Sequence, residues 1–146
     1  MNEPAERLAR IDHVAARLTE VFGPPADVAI VLGSGLGDVT QRVGDPISVE
    51  STALGLPGSG VGGHAGKVTC GRLGGRKVLM FQGRSHLYEG HDLDTVVLAA
   101  RAAARWGTPG LILTSAVGGV KPALGAGSVM VVSDHLNLSG GNPLRG

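Results

Sequence analysis

Asp27-Val28-Ala29-Ile30-Val31-Leu32-Gly33-Ser34-Gly35-Leu36-Gly37 decides the fold. Its apolar run has no polar alternation and is too short for an ordinary helix, so Asp27–Leu32 reads as a strand buried on both faces. Glycines at 33, 35 and 37 then break the strand in a tight turn. A buried strand that ends in a glycine turn is the start of an α/β unit rather than of an all-β or all-α fold.

Working outward, Leu8, Ile11, Val14, Leu18 and Val21 recur at three and four residues and predict an amphipathic helix over 4–22, stopped by Gly23, Pro24 and Pro25. Residues 36–43 hold one or two helical turns, and Ile47–Ser51 is a weaker strand. Residues 53–66 are rich in Gly, Pro and Ser and form a long loop. Val68–Leu73 and Lys77–Gln82 are strands joined by Gly74-Gly75, a hairpin signal that makes the sheet mixed. After the irregular stretch Gly83–His91, Asp92 caps a helix through Leu93–Trp106, and Gly107 stands at its C-cap. Leu111–Thr114 and Ser128–Ser133 are further strands, and a polar, Gly-rich tail follows. No internal repeat or linker divides the chain, so residues 1–146 are read as a single domain.

Composition removes several function classes. Hydrophobic residues make up 42% and charged residues 17%, which suits a packed globular domain. The net charge of +1 lacks the basic excess of a nucleic-acid binder, and no polybasic block addresses a membrane surface. The N-terminal stretch has no apolar core for a signal peptide. The apolar run Val96–Ala100 is far short of the roughly 20 residues of a membrane span. Cys70 is the only cysteine, which excludes an internal disulfide and makes it a small core or strand residue in a reducing, cytoplasmic setting. His13 and His91 are read as surface residues, and Trp106 as a core anchor.

Three strands end in loops of small and polar residues: Gly33–Gly37, Gly83–Gly90 and Thr114–Gly119. Ligands of open α/β sheets bind beyond the carboxyl ends of the strands, so neighbouring strands would bring these loops to one crevice. The chemistry suits an oxyanion. Glycines let backbone N–H groups approach a ligand, Ser34 adds a hydroxyl, and Arg84 offers a planar fork of donors. His86 is two residues on, on the same face of an extended stretch. Hydrogen bonds to a charged group contribute about 1.5–3 kcal/mol each, so four to six would hold phosphate firmly. Familiar phosphate motifs do not fit. Asp38 occupies the last glycine of a dinucleotide fingerprint, and around Gly66-Lys67 a P-loop would need Gly at Val61 and Ser or Thr at Val68. Leu32 before Gly33 breaks a Gly-x-Ser-x-Gly elbow at Ser34, so a nucleophilic serine is not expected.

Five stretches, in order, resemble the trimeric purine nucleoside phosphorylase family. They are Val31–Gly37, Gly63-His64-Ala65-Gly66, Gly83-Arg84-Ser85-His86-Leu87-Tyr88-Glu89-Gly90, Thr114–Gly119, and Ser133–Leu138 with Asn142–Gly146. The likeness covers nearly the whole chain but only about the N-terminal half of the family's domain. It implies a three-layer α/β/α fold with a mixed central sheet, incomplete at its C-terminal end. Ser115 stands where the family usually has Asn, Val117 where it has Ala, and Gly60 where it often has Thr. His135 and Asn137 are read as structural, at a strand end.

The resemblance implies a phosphate site of Ser34, His64, Arg84, Ser85, His86 and the backbone N–H of Ala116, with Tyr88 on the ribose and Arg84 and His86 in catalytic roles. It implies phosphorolysis of purine nucleosides for purine salvage, with inorganic phosphate as co-substrate and no metal or organic cofactor. Purine nucleoside and phosphate are the expected partners, in a homotrimer, with no nucleic acid and no membrane. The purine-holding Glu and Asn of the family come from later in its chain. Two alternatives stay open: a methylthioadenosine phosphorylase with a different 5′ pocket, and a non-catalytic remnant that keeps the phosphate crevice. Without its missing strands the chain is expected to expose sheet edges.

Overall fold

The structure is a computed structural model that describes residues 3–58 and 66–144. Five strands, β1 (Val28–Leu32), β2 (Gly44–Glu50), β3 (Lys67–Leu73), β4 (Arg76–Gln82) and β5 (Leu111–Leu113), form one sheet in the order β2-β3-β4-β1-β5. β1 runs parallel to both β4 and β5, whereas β2–β3 and β3–β4 are antiparallel. The sheet is therefore mixed, as the Gly74-Gly75 hairpin required. Both glycines take positive φ, the conformation a tight two-residue connection needs.

Two helices, α1 (Glu3–Phe22) and α2 (Leu93–Trp106), pack on each other and on one face of the sheet. Val14, Leu18, Leu98, Ala102 and Trp106 meet Ala29, Val31, Val68, Cys70, Leu79 and Phe81 in a single core. α2 is the crossover between β4 and β5, a connection that parallel strands require. Its ends match the sequence reading. Asp92 accepts from the Thr95 N–H at 2.7 Å, and Gly107 closes the helix at φ 106°. The opposite face carries alternate residues of the same strands. Ile30, Leu32, Val78 and Met80 pack there with Val39 and Val43. A 3-10 turn at Gly37–Arg42, the helical piece expected after the first loop, covers this side among the described residues.

A chain of hydroxyl and amide groups extends that second face. Ser48 Oγ lies 2.8 Å from Thr69 Oγ1, which donates to Gln82 Oε1, and Gln82 Nε2 donates to Thr40 Oγ1 at 3.1 Å. Thr40 in turn donates to the carbonyl of Gly37 at 2.7 Å. This satisfies buried Thr69 and ties the end of β4 to the first glycine loop. The β2–β3 register slips between Gly44 and Ile47. Gly71 faces that irregularity, where a Cβ would stand 2.6 Å from the Gly44 carbonyl.

One expectation is overturned. Residues 128–133 are not a strand, and Val129 and Val131 are 93% and 90% exposed. The apolar sequence has the propensity, but a strand forms only against a neighbour, and none flanks it among the described residues. His135 and Asn137 consequently sit in exposed irregular chain rather than at a strand end, although Asn137 does brace the tail by donating to the Gly141 carbonyl at 2.7 Å. β5 is short and lies at the sheet's edge, with Leu111, Ile112 and Leu113 all exposed. Among the described residues no helix is long and apolar enough to cross a membrane.

Candidate functional site

The topology decides where the three loops meet. β4, β1 and β5 are adjacent and parallel, so the loops after Gln82, Leu32 and Leu113 leave from the same end of the sheet. This is the crevice that α/β sheets offer to ligands. The loops are also bonded to each other. Arg84 Nη1 donates to the main-chain carbonyl of Thr114 at 2.7 Å, joining the loop after β4 to the end of β5. The Gly33 N–H donates to Thr114 Oγ1 at 2.8 Å, and that hydroxyl donates to the Val31 carbonyl at 2.9 Å. The fit is close enough that a Cβ on Gly33 would stand 2.7 Å from the Thr114 oxygen. Gly33 is thus a glycine of close backbone approach.

These bonds correct one part of the sequence reading. The Gly33 N–H points at Thr114, not outward, so Ser34 onward carries any ligand-facing amides of that loop. Ser34 itself is exposed and does not cap the following turn, whose N-cap is Leu36. The third loop is exposed from Ser115 onward, including Ala116 and Val117. The departures of Ser115 and Val117 from the family pattern therefore lie in exposed chain rather than in the core.

The loop after β4 makes a 3-10 turn at Leu87–Glu89 that is locked by its own side chains. Glu89 Oε2 lies 2.7 Å from both the backbone nitrogen and Nδ1 of His86. A carboxylate oxygen only accepts, so both nitrogens donate to it. The bond from the His86 side chain, first of all, holds the Glu89 carboxyl below its ordinary value of 4.5. The His86 ring stacks on Tyr88 with centroids 4.6 Å apart. Tyr88 is 75% exposed, which rules out a packed core role and leaves its phenol accessible beside the His86 ring. Glu89 is not among the residues singled out from sequence, yet the spacing His86-x-x-Glu89 is that of a capping box and could have signalled it.

Arg84 and Ser85 line a cleft whose walls include Thr95, Pro57, Gly58 and Gly66. Pro57, Gly58 and Gly66 flank the segment that carries His64 and Gly60, both of which lie outside the described residues. Its far end is fixed to the sheet, because Gly66 donates to the Gln82 carbonyl and accepts from the Ser51 N–H at 2.7 Å. A larger cleft between α1 and α2 holds none of the phosphate- or ribose-site residues expected from sequence. In it Asp94 bridges Arg7 at 2.8 Å and Arg101 at 3.0 Å.

Cys70, by contrast, is buried on β3 in the main core, as expected, and burial pushes its thiol above the usual range. His13 is exposed, His91 is half-exposed, and Trp106 is buried with its Nε1 donating to the Gly23 carbonyl.

Comparison with known proteins agrees with this architecture. A family model described as Phosphorylase superfamily matches residues 27–146. Purine nucleoside phosphorylase 1 of Geobacillus stearothermophilus is 39% identical over 137 residues, covering 93% of this chain and 50% of that protein. Purine nucleoside phosphorylase of Rattus norvegicus is 41% identical, covering 82% of this chain and 43% of its own length. The crystal structure of the Schistosoma mansoni purine nucleoside phosphorylase in complex with acetate superimposes with a TM-score of 0.72 at 35% identity, over 80% of this chain and 43% of that one. A purine nucleoside phosphorylase in complex with ribose-1-phosphate gives 0.71 at 34% identity. The chain spans about half the length of the curated relatives it matches. The fold, the converging loops and these matches agree: the chain belongs to the phosphorylase superfamily, and it corresponds to the N-terminal half of the purine nucleoside phosphorylases.

Proposed function

We propose that this chain supplies the phosphate-and-ribose half of a purine nucleoside phosphorylase, a pentosyltransferase that cleaves a purine nucleoside with inorganic phosphate. One observation carries the reading: three loops at the carboxyl ends of β4, β1 and β5 are bonded into one unit through Thr114, with Arg84 at their junction. A guanidinium beside glycine-bordered loops is a site for a small oxyanion.

In this reading the phosphate is held by Ser34, His64, Arg84, Ser85, His86 and the Ala116 N–H, and Tyr88 meets the ribose. Arg84 has one corner fixed on Thr114, so Nε and Nη2 would serve the anion. His86 has Nδ1 fixed on Glu89, which sets the orientation of the ring it would present. The phosphate attacks the anomeric carbon as the bond to the purine breaks. Positive charge develops on the sugar in an oxocarbenium-like transition state, and the bound dianion stabilises it. Holding the nucleophile in line supplies much of the remaining acceleration. No metal or organic cofactor has a part in this scheme. The setting is cytoplasmic purine salvage, and the assembled enzyme is a homotrimer that engages neither nucleic acid nor membrane.

In this reading the chain is expected to bind phosphate. The test is calorimetric titration with inorganic phosphate, alongside phosphate-dependent release of hypoxanthine from inosine, on the full chain and on Arg84→Ala. Saturable binding that Arg84→Ala abolishes supports the reading. Binding or turnover untouched by that substitution removes Arg84 from the site.

A further inference from the structure

The sequence reading gives Thr114 no role of its own, yet three of the bonds that assemble the crevice converge on it. Its carbonyl accepts from Arg84 Nη1, its hydroxyl accepts from the Gly33 N–H, and the same hydroxyl donates to the Val31 carbonyl. These partners belong to two segments, Arg84 being 30 residues away in sequence and Gly33 and Val31, at the end of β1, 81 and 83. A hydroxyl can donate one bond and accept others, and here it does both at once. Valine has the same shape as threonine and could do neither. β5 is a three-residue edge strand with exposed side chains, so packing alone fixes its end poorly. The Thr114 N–H already donates to the Val31 carbonyl at 3.1 Å, and the hydroxyl adds a second tie to β1 and one to the Gly33 loop, together placing the carbonyl that holds the Arg84 fork.

We infer that Thr114 is a positioning residue for the anion site: its hydroxyl locks the Gly33 loop to β5, and its carbonyl sets the orientation of Arg84, without touching the anion itself. The inference rests on the reading that this crevice binds phosphate, but its structural half can be tested separately. A rigid guanidinium loses less freedom on binding than one that must first be ordered. The role therefore concerns anion affinity, and it requires the hydroxyl rather than bulk.

The experiment uses the full chain, labelled with nitrogen-15, as wild type, Thr114→Ser and Thr114→Val. Amide exchange is read at Gly33 against its exposed neighbours Ser34 and Gly35, and inorganic phosphate is titrated while the amides of the three loops are followed. The expected result is a slowly exchanging Gly33 amide in wild type and Thr114→Ser. Thr114→Val should exchange fast there and bind phosphate about tenfold more weakly, the size of one lost neutral hydrogen bond. Thr114→Ser should match wild type, which a role in packing the methyl group would not allow. A folded Thr114→Val that binds phosphate as wild type does would overturn the inference. Should Thr114→Val fail to fold, the wild-type and serine proteins decide: a Gly33 amide exchanging as fast as Gly35, or tenfold weaker binding by Thr114→Ser, overturns it too. If no loop of the wild type responds to phosphate, the phosphate reading falls. Protection of Gly33, and its loss in Thr114→Val, still decides whether Thr114 fixes the loops.

Discussion

His86 and Glu89 meet twice, one carboxylate oxygen lying 2.7 Å from both the main-chain nitrogen and Nδ1 of the histidine. The glutamate thereby fixes the turn and the ring together. Glu89→Gln keeps the shape but removes the charge that pairs with a donating imidazole. It is expected to weaken phosphate binding about tenfold, the effect of losing one charge-assisted bond, as read by calorimetry.

Acid should undo the same contact. The Glu89 carboxyl is held below its ordinary value of 4.5, so its contribution to stability is complete above that pH and is lost as pH falls through the depressed folded value. The difference in melting temperature between wild type and Glu89→Gln should be constant above pH 4.5 and shrink in acid below it. A difference that stayed level into strong acid would mean that the carboxylate's charge contributes nothing.

Asp92 caps the crossover helix α2 by accepting from Thr95, and those bonds hold its carboxyl below the ordinary 3.8. Asp92→Ala is expected to cost about 1 kcal/mol, as lost caps do. In a chain of this length that lowers the melting temperature by roughly 2–4 °C. Differential scanning calorimetry would detect it, and the effect should disappear at a pH low enough to protonate the cap.

Glycine positions separate the constrained part of the first loop from the open part. Gly33→Ala would set a methyl 2.7 Å from the Thr114 carbonyl and 2.9 Å from the Ser115 Cα, forcing the loop away from β5. A cost of about 1–3 kcal/mol is expected from the overpacking, together with weaker phosphate binding. A methyl on Gly37 would meet nothing within 4 Å, and the backbone there does not take positive φ. Gly37→Ala should therefore stay within about 0.5 kcal/mol of wild type. Urea unfolding of the two variants provides the comparison.

The thiol of Cys70 is 3% exposed, and burial raises it away from the reactive thiolate. It should resist a chromogenic disulfide reagent in the native protein and titrate as a single thiol once the chain is unfolded in guanidinium. Rapid reaction under native conditions would show that β3 opens locally.

What was legible in the sequence was what local chemistry dictates. The 3.6-residue periodicity placed α1, the Asp92 cap and Gly107 bounded α2, and Gly74-Gly75 marked the hairpin that makes the sheet mixed. The three loops were legible because each follows an apolar run that ends in small or polar residues. The bonds between them were not. Thr114 reaches Gly33 and Val31 across more than 80 residues of sequence, and no periodicity encodes such a contact. The same non-locality explains the overturned strand. Residues 128–133 have the composition of a strand, but pairing belongs to a neighbour and not to the segment. Gly33 misled for a related reason: a glycine admits close approach, and sequence alone does not say whether a ligand or another loop makes it.

Among the described residues nothing pairs with the outer side of β5, which gives the sheet a direction of growth. β1 dictates the alignment of Leu111–Leu113 through Ala29, Ile30 and Val31, and β5 offers that alignment onward to whatever extended polypeptide arrives beside it. Arrival then becomes a race governed by dilution. Dilution favours a tethered segment of the same molecule and concentration a second molecule, because an unpaired edge templates whichever strand reaches it.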